Sequence, residues 1–161
     1  MALLRRFVIA MNYGVTAVFS ALRQNTLPFI GSGTYVVKFS AAVLFLASIA
    51  LAAAIHHWFP ERHEKPRDFP RLYTEGPYAY CRHPFYLLLI LLQFSIPLYI
   101  CSMEGVVTAF LTLPAWYMLA RAEETDLLKC YGEAYRKHME HVPMFILLRK
   151  LRLNEHDRSK A

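Results

Sequence analysis

Three long runs without a charged residue decide what this chain can fold into. Phe39–Ile55, Phe85–Met103 and Gly105–Ala120 contain no Asp, Glu, Lys or Arg. Crossing a bilayer takes about 20 mostly apolar residues, with a range of roughly 17–25. The second run reaches that length unaided. The other two reach it by drawing in Tyr35–Lys38 and Arg121, whose long side chains can snorkel to the interface. Three such runs in 161 residues leave too little chain to shield them from water. The expected fold class is therefore all-α, a polytopic membrane protein. A further stretch, Phe7–Leu22, is apolar but interrupted by Asn12, Thr16 and Ser20. It reads as a short span, with an interfacial helix or a cleaved signal as alternatives. No small-x-small site followed by a plausible mature start supports the signal.

Charge sets the expected orientation. With four spans, 16 of the 18 Lys and Arg fall on one side, and Arg23 and Lys38 alone fall on the other. The positive-inside rule then places both termini and the long central loop in the cytosol. The net charge of +6 needs no nucleic acid to account for it, because basic residues flanking spans are drawn to anionic headgroups. Cys81, Cys101 and Cys130 form no CxxC pair, and neither a metal-ligand spacing nor a phosphate-binding Gly loop is present. No metal is expected.

Punctuation supplies the organisation. Residues 25–34 read as a loop on the far side. Residues 58–77 hold Pro60, Pro66, Pro70, Gly76 and Pro77 and read as a cytosolic connector, since interior prolines break a helix. Glu104-Gly105 reads as the turn of an antiparallel hairpin of spans three and four, with Pro97 and Pro114 inside them. Beyond span four the helix is expected to run to Tyr131 and stop at Gly132. Residues 133–141 read as a polar helix, and 143–153 as a surface-lying amphipathic segment or a plain terminal helix.

The hairpin has a chemical consequence. His83 precedes Met103 by 20 residues and Glu123 follows it by 20. At about 1.5 Å per residue, equal distance from the turn means equal depth. Arg82, His83 and Tyr86 therefore meet Arg121, Glu123 and Glu124 at the cytosolic rim. Each has a plain explanation alone: headgroup anchors, a solvated helix end, a Pro-initiated helix, an aromatic belt. Their coincidence at one level is what suggests a site.

The stretch Gly76-Pro77-Tyr78-Ala79-Tyr80-Cys81-Arg82-His83-Pro84-Phe85-Tyr86 resembles the G-x-Y…RHPxY signature of the isoprenylcysteine carboxyl methyltransferase and phospholipid methyltransferase superfamily. Glu123-Glu124, Leu127, Tyr131-Gly132-Glu133-Ala134-Tyr135 and Val142-Pro143 resemble its tail. The resemblance implies one membrane domain over residues 1–161, with a family-like core over 70–145. It implies an S-adenosylmethionine-dependent methyltransferase whose lipophilic or small acceptor enters from the bilayer. Carried over by motif position, Leu72, Tyr73, Tyr78, Arg82, His83, Pro84, Phe85, Tyr86 and Glu123 would bind the cofactor. Arg121 and Glu124, three apart on one helix face, are the candidate catalytic pair. The prenyl-cysteine enzymes carry an Arg one turn before the key Glu; this chain has Leu119 there, so the acceptor stays open. Two other readings compete: a membrane sterol reductase using NADPH, and a non-catalytic scaffold.

Overall fold

A computed structural model describes residues 2–27, 33–58 and 71–145. The described residues form helices α1 (Ala2–Leu22), α2 (Thr34–Trp58), α3 (Pro84–Ile100), α4 (Met103–Leu111) and α5 (Leu113–His141), plus a 3-10 turn at Gly76–Ala79. No strand occurs among them, so the all-α expectation holds. α2 and the helical stretch Met103–His141 are long and apolar enough to cross a membrane; α3 is apolar but shorter. Most of the connector and most of residues 143–153 lie outside the described residues. The described residues fall into two compact units, one within Met1–Pro60 and Leu88–Leu119, the other within Glu61–Leu87 and Ala120–Ala161.

In the first unit, α2 buries only Ala41, Ser48 and Ile55, while Phe39, Val43, Leu46 and Ile49 are exposed. Hydrocarbon is as apolar as these side chains, so a helix in lipid has no reason to hide them. α1 does the opposite. Asn12, Thr16 and Ser20, the polar residues that weaken its hydropathy, are its buried stripe, at the i, i+4 spacing of one helix face. Thr16 and Ser20 donate their hydroxyls back to the Asn12 and Thr16 carbonyls. Gln93 of α3 is the hub of this packing. Its Nε2 donates to Thr16 Oγ1 at 2.7 Å and Thr112 Oγ1 at 2.8 Å, and its Oε1 accepts from Trp116 Nε1 at 2.7 Å. Polar side chains inside a membrane are retained where they meet each other in this way.

The turn between α3 and α4 differs from the sequence expectation. It lies at Cys101-Ser102, and Glu104 and Gly105 are already inside α4. Ser102 is the N-cap, its Oγ accepting from the Gly105 amide at 3.1 Å. Cys101 takes φ +58°, a left-handed conformation that a sequence reader assigns to Gly. Gly105 serves another purpose: a Cβ there would run into the Ser20 hydroxyl and come within 2.7 Å of Pro97 Cβ. Glu104 accepts from Thr26 Oγ1 at 2.5 Å and pairs with Arg23 at 3.4 Å. The run Gly105–Ala120 is also broken, at Thr112, so Pro114 falls in the first turn of α5, where its missing N–H costs nothing.

Candidate functional site

The second unit holds the predicted cluster, and local chemistry explains its placement. Gly76, at φ +60°, and Pro77 start the 3-10 turn, which closes with the Cys81 amide donating to the Pro77 carbonyl at 3.2 Å. Residues 81–83 then run beside 142–144. The Arg82 amide donates to the Pro143 carbonyl at 3.0 Å, the His83 amide to the Met144 carbonyl at 3.3 Å, and the Cys81 thiol to that same carbonyl. Pro84 opens α3, and the His83 carbonyl accepts the first helical hydrogen bond, from the Leu87 amide. The chain reaches Val142–Met144 because Gly132 bends α5 at φ 52°, ψ −124°, a conformation suited to glycine. The expected stop at Gly132 is thus a bend, with the polar helix resuming after it.

Arg82 ties these pieces together. Its Nη1 donates to the carbonyls of Met139 at 2.9 Å and Val142 at 3.0 Å, and its Nε lies 2.8 Å from Glu124 Oε1. That last contact is an ion pair and not an aligned hydrogen bond. Both side chains are buried, Glu124 at 1% exposure. His83 Nε2 is 3.4 Å from the same carboxylate oxygen. Oε2 has Arg121 Nη1 at 3.6 Å and no hydrogen-bond partner among the described residues.

Glu123 faces elsewhere. Successive helix residues point about 100° apart, so burial of Glu124 leaves its neighbour nearer the surface, half-buried. Glu123 Oε2 accepts from the Tyr86 hydroxyl at 2.5 Å. The His83 ring stacks on Tyr86, 5.5 Å between centroids and 10° between planes, with Phe145 at 6.3 Å. One carboxylate, fully buried, therefore meets His83, and the other, half-buried, meets Tyr86.

Glu124 lies beyond the charge-free run that ends at Ala120. Burial opposes its charge, yet the hydrogen bond from His83 and the charge of Arg82 outweigh that and hold its carboxyl below the usual range. Burial, followed by the negative charge of Glu124, pushes the Tyr135 phenol well above its ordinary value. Burial, followed by the charge of Arg82, lowers the pKa of His138.

Of the residues expected from sequence, contacts bring Arg82, His83, Tyr86, Arg121, Glu123 and Glu124 together. Pro84 is buried at the start of α3, and Phe85 half-buried beside it. Leu72, Tyr73 and Tyr78 are half-buried in the same unit, with the Arg71 guanidinium 5.7 Å from the Tyr73 ring. Leu119 is buried. That Arg82 directs its donors to the Met139 and Val142 carbonyls is not legible from residue type, because backbone acceptors leave no residue signature. A family model for phospholipid methyltransferases matches residues 36–134, more than half of the chain.

The chain belongs to the phospholipid methyltransferase family. Membership implies a membrane methyltransferase, and the resemblance carried by Arg82-His83-Pro84-Phe85-Tyr86 and Glu123-Glu124 falls inside the matched range. The range ends just before Tyr135, Met139 and Val142, so part of what locks Arg82 in this phospholipid methyltransferase relative lies outside it. No curated protein and no solved structure matches the chain.

Proposed function

We propose that this protein is an S-adenosylmethionine-dependent methyltransferase that modifies a lipophilic or small acceptor reaching it from the bilayer. One observation carries the reading: a half-exposed carboxylate, Glu123, held by Tyr86 beside a His83–Tyr86 stack and backed by a buried ion pair, in a member of this family.

The donor set fits such a cofactor. Glu123 can take an ammonium or ribose hydroxyls in charge-assisted hydrogen bonds. The face of the half-buried Tyr78 favours a sulfonium, at about 0.5–2 kcal/mol, while Tyr86, buried and stacked on His83, holds Glu123 in place. Leu72, Tyr73 and Phe85 complete the proposed lining. When bound, S-adenosylmethionine supplies an electrophilic methyl group. The protein's share is alignment and the exclusion of water; the proposal needs no covalent nucleophile. We place Arg82 and Glu124 behind the site as its frame. Arg121, with its side chain 56% exposed, remains available to an anionic group on the acceptor.

For topology we propose four spans: α1, α2, α3, and α4 with the apolar part of α5. The inward polar stripe of α1 supports counting it. Both termini and the site would face the cytosol, as the Lys and Arg distribution favours, in one domain. The test is incubation of the purified protein with methyl-labelled S-adenosylmethionine and a lipid extract. Label in a lipid-soluble product supports the reading; label in none of the lipid or small-molecule fractions contradicts it.

A further inference from the structure

Two buried polar atoms in the second unit lack a hydrogen-bond partner among the described residues and complement each other. Glu124 Oε2 is an acceptor, and the Tyr135 hydroxyl, on a residue 2% exposed, is a donor. Leaving either unsatisfied in a buried setting is unfavourable, since the desolvation of the group is then not offset. They lie 11 residues apart on α5, which would separate them by three turns in a straight helix. The Gly132 bend cancels that distance. A single Arg82 guanidinium touches both Glu124 and the Met139 carbonyl, so the segment after the bend is folded back to within one side chain of the carboxylate. Tyr135 precedes Met139 by four residues and shares its helix face.

We infer that Tyr135 is a positioning residue whose hydroxyl donates to Oε2 of Glu124, completing the frame that orients His83 and, through the ring stack, Tyr86 and Glu123. The inference rests on the proposed methyl-transfer site for its consequence, though not for the contact itself. Oε1 already takes Arg82 and His83. The second oxygen has only the exposed Arg121 at 3.6 Å, too long for a hydrogen bond to hold the carboxylate plane. The two groups are near enough that, after burial, the Glu124 carboxylate raises the Tyr135 phenol both by its charge and as an acceptor for it, although the contact falls short of an aligned hydrogen bond. The other charged and titratable groups around the pair are Arg82 and His83 from the segment before α3, Arg121 and Glu123 on the same helix, and His138, which faces Arg82.

The test is Tyr135→Phe in the full chain, with thermal unfolding followed against pH. A donor to a carboxylate favours its charged form, so removing it should move the acid loss of stability to higher pH. That displacement should vanish when Glu124→Gln is the common background. A uniform fall in Tm at every pH, or a displacement that survives Glu124→Gln, would overturn the inference. S-adenosylmethionine affinity is read on the same samples, with a drop of about tenfold expected. Wild-type binding with unchanged Tyr135→Phe affinity sinks the positioning role and leaves the proposed function standing. No binding by wild type sinks the proposed function, and the pH readout still judges the contact. Should Tyr135→Phe fail to fold, 3-fluorotyrosine placed at 135 keeps the shape and strengthens the donor. The acid limb should then move to lower pH, and an unmoved limb overturns the inference.

Discussion

Arg82 Nε lies 2.8 Å from Glu124 Oε1, with both side chains almost wholly out of solvent, and the same guanidinium holds two carbonyls beyond the Gly132 bend. The frame of the site is thus one ion pair reaching three separate stretches of chain. A buried pair of this kind is costly to break, because the survivor is left charged and without a partner.

Removal of one partner should therefore act on folding before it acts on chemistry. Arg82→Ala or Glu124→Ala is expected to cost about 3–5 kcal/mol. Thermal unfolding in detergent checks this. A loss below about 1 kcal/mol would mean that the pair does not hold the unit together.

Acid should weaken the same frame. The Glu124 carboxyl titrates below its usual value of 4.5 in the folded protein. A depressed carboxylate stabilises fully above the unfolded value, and that contribution is lost as pH falls through the folded one. Tm should hold steady near neutrality and decline below about pH 4.5. Glu124→Gln should start lower and decline less steeply. Parallel curves for the two proteins would show that Glu124 is not the linked group.

Gly132→Ala isolates backbone from packing, since an added Cβ meets nothing within 4 Å. The conformation at φ 52°, ψ −124° should cost an alanine about 1–3 kcal/mol. It should also loosen the carbonyl grip on Arg82, which proteolysis between residues 132 and 145 would report. Wild-type stability and protection would show that the bend tolerates any residue.

How much of this was legible in the sequence follows from particular residues. The meeting of His83 with Glu124 was readable, because equal counts from a hairpin turn survive an error of a few residues in the turn itself. The sequence pattern points to a turn at Glu104-Gly105 because Gly is the usual signal for a left-handed residue, whereas Cys101 takes that role in the fold while Ser102 caps. α1 read weakly because Asn12, Thr16 and Ser20 lower its hydropathy; their burial against Gln93 and its neighbours is a tertiary fact. The two glutamates looked equivalent as adjacent letters. Which of them turns inward depends on helix phase relative to Arg82, and that was settled by packing.

The close approach at Gly105 gives an independent check on the first unit. Gly105→Ala would force a Cβ against Ser20 and Pro97, with an expected loss of about 1–3 kcal/mol from overpacking. Ser20→Gly in the same chain should recover part of it. An unaffected Gly105→Ala protein would mean that α1 and α4 do not pack as described.

Cofactor binding tests the central claim most directly. Isothermal calorimetry in detergent should show saturable binding of S-adenosylmethionine and none of NADPH. Glu123→Ala should lose most of that affinity at an unchanged Tm. Binding of NADPH in place of S-adenosylmethionine, or of neither, would contradict the account. Undiminished affinity in a folded Glu123→Ala protein would remove Glu123 from the site.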